Sequence, residues 1–332
     1  MAGHPITMAL VLGAGASRGV SYADKCDIQS PLDTDFFDLL QRVEGGSNDR
    51  PAIEAALDHV RQLPHGHWRS MERAFYTLHL RAYLHMKLTG DKGRADETVI
   101  KDFARCVQAL LRKAHGTRTC KHHRRLLEPM LPADTVLSFN YDLVPERALK
   151  PIAERRRIAF GDWLYGLCAK TRGNLPTILK LHGSSNWKMA GSGRIEVLTT
   201  NWNELDDAPG YRGYKGDGTA FPIFLPFWDK RIEEPPWLAI WTDAFKRLSR
   251  VDALLVWGYS LPLTDIKARH LVSLSLGQRE IRLCVVDPSP KTRDRWRELL
   301  PDAQFFPYSS IGRFFDSPPP WWKKRGTADV RK

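Results

Sequence analysis

Ten residues near the start of the chain, MALVLGAGAS at positions 8–17, decide the fold that the sequence predicts. The apolar run 8–12 has the length of a buried strand, and it ends directly in a turn rich in glycine. Glycines in this turn let the backbone approach a diphosphate closely, with the amides of a following helix directed at it. The stretch therefore predicts a buried strand whose end is a candidate phosphate-binding loop.

Further strand candidates follow along the chain. They are the apolar runs 135–139, 177–181, 195–199, 253–257 and 281–286. Helical patterns follow the last two runs, at 264–277 and 290–300, and an amphipathic helix is predicted from residue 237 after two acids and two prolines. Apolar strands that alternate with helices predict an α/β fold, a Rossmann-like parallel sheet with helices on both faces.

A long helical segment separates the first two predicted strands. Apolar residues recur at helical spacing from about residue 36 to residue 130. We therefore predict a single domain, 1–320, with an inserted helical module at 38–132. The Pro-rich and basic end of the chain predicts a loose basic tail at 321–332.

The composition of the 332 residues excludes several classes of protein. Hydrophobic residues make up 42% and charged residues 27%, which is typical of a globular chain and not of a disordered one. No apolar run is long enough to span a bilayer, and the first residues do not have the pattern of a signal peptide. We expect a cytoplasmic protein without a membrane partner.

The five cysteines do not predict a metal site or a disulfide framework. They are scattered and form no CxxC pair. Cys120, His122 and His123 lie close in sequence, but adjacent histidines lack ligand spacing and their basic neighbours oppose a cation. We expect reduced thiols and no metal.

An excess of basic residues suggests an anionic partner. The formal net charge is +12, and the bases are concentrated at 115–125, 154–157 and 323–332. A nucleic acid and a phosphate-bearing ligand both fit such a charge, as does a merely soluble basic surface. Charge alone does not decide between them.

Unusual residues stand at the ends of five of the six predicted strands. They read GAGAS at 13–17, NYD at 140–142, HGSS at 182–185, GYS at 258–260 and VVDPSP at 285–290. Ligands of open α/β sheets bind beyond the carboxyl ends of the strands, so we expect these loops to meet there. No nucleophile elbow or Walker loop is present in the sequence.

Each of these candidates also has a purely structural interpretation. The glycine turn lacks the full dinucleotide fingerprint, because Arg18 stands where a third glycine is needed, which disfavours a hydride-transfer enzyme. Asn140 is a common type of turn former, and a lone His182 is more often structural than catalytic. Asp287 suits a ribose hydroxyl pair, but it also suits an Asp-Pro-Ser turn.

Taken together and in this order, the five motifs resemble the sirtuin family, and most closely its bacterial NAD-cleaving branch of antiphage defence. The match spreads over about 8–290. The resemblance implies that the first loop holds the diphosphate of NAD, through Gly13, Ala14, Gly15 and Ser17. It implies that Asn140 orients the ribose or an attacking water and that His182 acts on ribose hydroxyls.

The resemblance assigns the remaining motif residues as well. Asp142 would help to seat the nicotinamide side, Gly258 and Ser260 would contact the adenosine half, and Asp287 would lie near the adenine ribose. Deacylase sirtuins carry a four-cysteine zinc ribbon, whereas this sequence has no CxxC pair. That departure favours NAD cleavage over peptide deacylation.

The leading hypothesis is therefore an NAD glycohydrolase that releases nicotinamide and ADP-ribose without a metal. The resemblance implies an NAD-depleting effector of an antiphage defence system, controlled by self-assembly into a homo-oligomer or by a separate sensor of Argonaute or ATPase type. One alternative is an NAD-dependent protein deacylase or ADP-ribosyltransferase. Another is a basic nucleic-acid-binding module with an inactive NAD cleft.

Overall fold

The computed structural model of the chain describes nine segments of it. They are 6–43, 49–64, 66, 69–89, 94–168, 174–190, 194–207, 232–233 and 235–326. Two large hydrophobic cores form within these segments, one around a sheet and one among the helices that separate the first two strands.

Eight strands are present in the described segments. They are β1 (Met8–Leu12), β2 (Thr135–Ser138), β3 (Thr177–Lys180), β4 (Trp187–Met189), β5 (Ile195–Val197), β6 (Ala253–Trp257), β7 (Arg282–Val286) and β8 (Gln304–Tyr308). Six of them form one sheet in the order β3-β2-β1-β6-β7-β8, and every neighbouring pair is parallel. Counted within the sheet, this is the 3-2-1-4-5-6 order of Rossmann-like folds. The predicted fold class is confirmed.

Helices flank this sheet and fill most of the connections between its strands. They are α1 (Ala14–Arg18), α2 (Phe36–Gln41), α3 (Arg50–Arg61), α4 (Met71–Thr89), α5 (Arg94–His115), α6 (Lys121–Leu127), α7 (Val144–Arg155), α8 (Glu204–Asp207), α9 (Trp237–Leu248), α10 (Ile266–Leu276), α11 (Pro290–Leu299), α12 (Ile311–Asp316) and α13 (Pro320–Gly326). Strands β1, β2, β3 and β6 are buried at every position. A strand covered on both faces favours apolar residues, which explains the unbroken apolar runs of β1 and β6.

The helices between β1 and β2 pack around a core of their own. The aromatic rings of Phe75 on α4 and Phe103 on α5 lie 4.0 Å apart, and Phe37 on α2 packs edge-on against Phe103. Tyr141, which follows β2, packs against this second core. Thr264, which precedes α10, donates a hydrogen bond of 2.6 Å to the carboxylate of Glu72 on α4. The helices and the sheet edge therefore touch at the end of β2 and before α10.

Three strands differ from the sequence prediction. The run 195–199 does contain a strand, β5, but it pairs antiparallel in a separate hairpin with β4, which was not predicted. Strand β8 was not predicted, because Pro307 interrupts its apolar pattern. A proline is tolerated there since β8 is the edge strand of the sheet and, within the described segments, has β7 as its one neighbour.

The first residues of the predicted basic tail are helical and buried. Trp321 and Trp322 on α13 belong to the core of the sheet. Arg325 pairs with the buried carboxylate of Asp134, which also accepts the backbone N–H of Met8 at 2.8 Å. These contacts attach α13 to the beginning of β1, while 327–332 lies outside the described residues. No helix in the described segments is both long and apolar enough to cross a bilayer.

One histidine is enclosed by this core. His123 on α6 is 1% exposed, and its ring packs on the indole of Trp257 with 4.5 Å between the ring centroids. Neither ring nitrogen has a hydrogen-bond partner among the described residues. Burial therefore lowers the pKa of His123 from 6.5 to about 3.

We expect this histidine to make the protein less stable in acid. Between pH 6.5 and 3 the unfolded chain binds the proton that folded His123 refuses, so the free energy of unfolding falls as the pH falls. The loss between pH 7 and pH 5 is about 2 kcal/mol from this residue. His123→Phe keeps the packing on Trp257 and should remove this part of the dependence. Urea unfolding of the parent and of His123→Phe at pH 7 and at pH 5 tests this expectation. A loss of stability between the two pH values that is as large in the variant as in the parent would contradict the prediction.

Candidate active site at the carboxyl edge of the sheet

The order in which the chain adds strands to the sheet reverses between β1 and β6. The chain runs from β1 to β2 and β3 on one side, and from β6 to β7 and β8 on the other. The strand order therefore continues in opposite directions from β1 and from β6, and such a switch point is where open α/β sheets bind their ligands. The motifs quoted above all follow strands of this sheet at that end.

The glycines of the first motif pack against the loop after β6. Gly15 donates its N–H to the carbonyl oxygen of Gly258 at 2.9 Å, and Ala16 donates to Gly13 at 2.9 Å. A Cβ atom on Gly258, whose φ is +63°, would lie 2.2 Å from the nitrogen of Ala16. A Cβ atom on Gly13 would lie 2.5 Å from the carbonyl oxygen of Gly258. These glycines are thus required by the contact between two loops, while Ala14 beside them is exposed.

The polar residues after β2 connect to this first loop. Asn140 donates from Nδ2 to the carbonyl oxygen of Gly13 and to Oγ of Ser17, each at 2.8 Å. Ser17 in turn donates its hydroxyl to the carboxylate of Asp142 at 2.5 Å. All three side chains are buried. The structure therefore joins Gly13, Ser17, Asn140 and Asp142 into one network.

This network orients the carboxamide of Asn140. The carbonyl oxygen of Gly13 only accepts hydrogen bonds, so the NH2 group of Asn140 must face it. The hydroxyl of Ser17 is already donated to Asp142, so its oxygen accepts from Asn140 as well. Both N–H groups of the Asn140 amide therefore donate to the protein, and Oδ1 is the atom of the carboxamide that can accept a hydrogen bond from a ligand or a water.

Asp142 is held as a carboxylate. Burial alone raises the pKa of Asp142, but His115, Lys180 and the hydrogen bonds from Ser17 and Val144 together lower it below its ordinary value. A charged Asp142 accepts the Ser17 proton strongly, which keeps the direction of the network fixed. Its side chain therefore orients Asn140 through Ser17.

His182 follows β3 at the position that Asn140 has after β2. The two strands pair with Ser138 opposite Lys180, so both residues come two positions after paired residues at the same sheet edge. The imidazole packs on the rings of Phe139 and Tyr141, which flank Asn140, with 5.0 and 6.4 Å between centroids. The imidazole and the carboxamide therefore belong to the same end of neighbouring strands.

The ring of His182 meets a carboxylate that the sequence analysis did not select. Its Nε2 lies 3.1 Å from Oδ2 of Asp265, and the hydroxyl of Tyr259 donates to the same oxygen at 2.7 Å. Tyr259 lies inside the GYS motif, and Asp265 follows it as the N-cap of α10. An Asp immediately before a helical pattern is a recognisable cap, but only the fold brings it to the histidine.

A second pair of charges was also missed. Lys180 and Glu146 are both fully buried, and the Nζ of Lys180 lies 3.5 Å from Oε1 of Glu146. Lys180 also donates to the main-chain oxygen of Asp142. A lysine inside the apolar run TILKL was a visible signal, because a buried lysine requires a partner. This pair ties the turn after β2 to the end of β3.

The remaining predicted residues lie on the other side of the switch point. Ser260 is exposed, and its carbonyl oxygen accepts a hydrogen bond from Arg295. Asp287 follows β7, and its carboxylate accepts the N–H of Ser289 at 2.8 Å in a local turn. Burial raises the pKa of Asp287. Ser260 follows β6 and Asp287 follows β7, which are two and three strands from β2, so about 10 Å and about 14 Å separate them from Asn140.

No metal centre is formed by the described part of the chain. Groups of three or more His, Cys, Asp or Glu that could hold an ion are absent from it. The candidates Cys120 and His122 have protein partners, the N–H of Ser21 and the carbonyl oxygen of Gly19. All five cysteines are free thiols.

Known proteins resemble the chain only in structure. No protein-family model matches the sequence, and no curated protein matches it. A mutant Sir2 homologue in complex with ADP-ribose is 12% identical, with 98% of this chain and 93% of that chain covered and a TM-score of 0.41. A Sir2 homologue–NAD complex is 14% identical, with 97% and 89% covered and a TM-score of 0.37. Values this low carry no inference about activity, so the proposal below rests on the side chains of this chain.

Gly258→Ala should destabilise the protein strongly. The added methyl group would meet the backbone of Ala16, and it would also force alanine into a left-handed conformation. Gly116→Ala is the matched control, because Gly116 also has a positive φ, +51°, but the nearest atoms to the added Cβ, on Arg118 and Arg112, would lie at 3.8 and 3.9 Å. We expect about 1 kcal/mol for the control and at least about 3 kcal/mol for Gly258→Ala. Equal losses in urea unfolding would show that the two loops are not in tight contact.

Removing the buried lysine should be costly as well. Lys180→Met leaves the carboxylate of Glu146 without its cation, and we expect a loss of about 3 kcal/mol in the free energy of unfolding. Adding Glu146→Gln removes the stranded charge and should recover at least about 1 kcal/mol. A double-mutant cycle by urea unfolding measures this coupling. Strictly additive losses would show that the two charges do not interact.

Proposed function

We propose that this protein is an NAD glycohydrolase, which cleaves NAD into nicotinamide and ADP-ribose. The observation that carries the proposal is the position of Asn140 and His182 at one end of neighbouring strands, beside the loop after β1. One group is an oriented hydrogen-bond acceptor and the other is a titratable base. Hydrolysis of a bond to a good leaving group needs both, and it needs no metal.

The chemistry follows from the leaving group. The bond between C1′ of the ribose and the cationic nicotinamide ring breaks heterolytically, and both electrons go to nicotinamide, which leaves as a neutral molecule. The ribose is left as an oxocarbenium ion. A water then attacks C1′ and gives up one proton, which completes ADP-ribose. The protein has to hold the sugar, stabilise its positive charge and place the water.

Two side chains have the properties that these tasks require. Oδ1 of Asn140 is turned away from Gly13 and can accept a hydrogen bond from the attacking water. The imidazole of His182 can take the proton of that water or of a ribose hydroxyl. The negative charge of Asp142 lies one hydroxyl group away from Asn140, which favours a developing cation at the sugar.

The other motif residues would bind the rest of the dinucleotide. Ala14 is exposed in the loop after β1, where the resemblance to sirtuins puts the diphosphate. Ser260 and Asp287, which lie about 10 Å and about 14 Å from Asn140 across the switch point, would bind the adenosine half. NAD would then extend along the carboxyl edge of the sheet from the end of β7 to the end of β3.

The biological role that we propose rests on the resemblance of the motifs to the antiphage branch of the sirtuins. The protein would act in the cytoplasm as an effector that depletes NAD, held inactive until a separate sensor of Argonaute or ATPase type, or assembly into a homo-oligomer, activates it. Nicotinamide release measured with and without candidate activators tests this control. Full activity of a lone monomer would argue against it.

His182→Ala and Asn140→Ala should each lower kcat for nicotinamide release by at least about 100-fold, because each removes a group that positions water or accepts its proton. His270→Ala and Asn201→Ala are matched controls, since both residues are exposed. Circular dichroism and thermal unfolding confirm that each variant is folded. A folded His182→Ala or Asn140→Ala protein that cleaves NAD at the parental rate would refute the role given to that residue.

The products of the reaction identify the molecule that receives the ADP-ribose group of NAD. Hydrolysis yields ADP-ribose from NAD and water alone. Release of nicotinamide only when an acetylated peptide is added would identify a deacylase, and label from NAD retained on protein would identify an ADP-ribosyltransferase. Salt-dependent binding of DNA or RNA without any turnover of NAD would favour the nucleic-acid-binding alternative.

A further inference from the structure

The contact between His182 and Asp265 has a chemical consequence for the imidazole. Oδ2 of Asp265 lies 3.1 Å from Nε2 of His182 and 2.7 Å from the hydroxyl oxygen of Tyr259. Both side chains of the pair are almost completely buried. Bulk water is therefore largely excluded from this contact, and its geometry is set by the protein.

The donors and acceptors in this contact can be assigned. A carboxylate only accepts hydrogen bonds, so Nε2 of His182 must carry the proton that points to Asp265. Tyr259 donates its own proton to the same oxygen, and burial together with the charge of Asp265 raises the pKa of Tyr259 well above its ordinary value. Tyr259 therefore remains a hydrogen-bond donor to Asp265. Since the carboxylate has no proton to donate, the proton between Asp265 and His182 is carried by Nε2.

We propose that Asp265 is a positioning residue that holds His182 in its Nε2–H tautomer, so that Nδ1 is the nitrogen that accepts the proton during NAD cleavage. This inference rests on the glycohydrolase function proposed above. A neutral imidazole has one donor nitrogen and one acceptor nitrogen, and the partner of the donor decides which is which. A carboxylate behind the imidazole also stabilises the imidazolium that forms when the proton arrives.

Other charged or titratable groups surround the pair. Burial raises the pKa of both Tyr141 and Tyr259, and the negative charge of Glu72 raises it further. Arg269 lowers the pKa of Tyr259 in the opposite sense. Glu72 itself accepts a hydrogen bond of 2.6 Å from Thr264. Tyr141 packs on the imidazole itself. The substitution Asp265→Asn changes none of these four residues in the sequence. A difference between the parent and an Asp265 variant is therefore due to Asp265.

Asp265 also has a structural role, which the test must separate from the proposed one. Its side chain caps α10 by accepting the N–H of Ala268. Asparagine is as good a cap as aspartate and has the same shape, so Asp265→Asn keeps the helix start while it removes the charge. Asp252→Asn is the matched control. Its carboxylate accepts the N–H of Thr7 at the opposite end of the sheet.

The kinetic test compares the parent with Asp265→Asn and Asp252→Asn from pH 5.5 to 9. We expect Asp265→Asn to lower kcat by about 100-fold with KM within about two-fold, because proton transfer is affected and binding is not. The acidic limb of its pH profile should move to lower pH, since the charge that favours imidazolium is lost. Asp252→Asn should match the parent. Parental kcat and pH profile in folded Asp265→Asn would overturn the inference.

An NMR measurement decides the tautomer without any turnover. Long-range ¹H–¹⁵N spectra of the full chain labelled in histidine show which ring nitrogen carries the proton, and His182→Ala assigns the signal by its loss. We expect the Nε2–H form in the parent and in Tyr259→Phe, and a shift away from it in Asp265→Asn. An Nδ1–H tautomer in the parent would overturn the inference. Failure of the parent to cleave NAD would instead refute the proposed function, and the NMR result would still stand by itself.

Discussion

The loops after β1 and β6 touch backbone to backbone at the switch point of the sheet, and the candidate site depends on this contact. Gly258 approaches Gly15 and Ala16 so closely that a Cβ atom on it has no space. Gly13 donates its N–H to the carbonyl oxygen of Trp257 at 3.2 Å, and its own carbonyl oxygen accepts the N–H of Ala16 at 2.9 Å, so both of its polar backbone groups are held in place. That carbonyl is the acceptor that orients Asn140. A tight backbone contact therefore determines how a side chain on a third loop is presented.

Buried polar groups at this edge of the sheet are arranged in two networks. One runs from Asp142 through Ser17 to Asn140, and the other from Tyr259 through Asp265 to His182. In each network a carboxylate lies at the centre or the end and fixes the direction of every hydrogen bond. Burial makes such groups costly unless they are paired, so this concentration at one sheet edge is better explained by a site than by stability.

The helices between β1 and β2 contribute to the same edge. Tyr141 lies between the imidazole of His182 and the core of these helices. Glu72 on α4 is bound by Thr264 in the segment that leads to Asp265. These helices therefore reach the network of His182 and Asp265 through Tyr141 and Thr264, and a change in their packing would affect the proposed base.

Local patterns in the sequence determined the strands, their buried character and the polar residues at their ends. Apolar runs such as 8–12 and 253–257 indicate buried strands because burial on both faces excludes polar residues. Asn140 and His182 could be selected because they directly follow such runs. The edge strand β8 was missed, since its proline and partial exposure weaken the same pattern.

Only the tertiary structure decided which of these residues work together. Ser17 and Asp142 are 125 residues apart in sequence, yet they share a hydrogen bond. Asp265 looks like an ordinary helix cap and Lys180 like an exception in a strand until the fold brings them to His182 and Glu146. Strand propensity and hydrophobic periodicity depend on near neighbours, whereas hydrogen-bond partners are set by the order of strands in the sheet. The sequence therefore predicts the sheet edge, and the fold selects the partners at it.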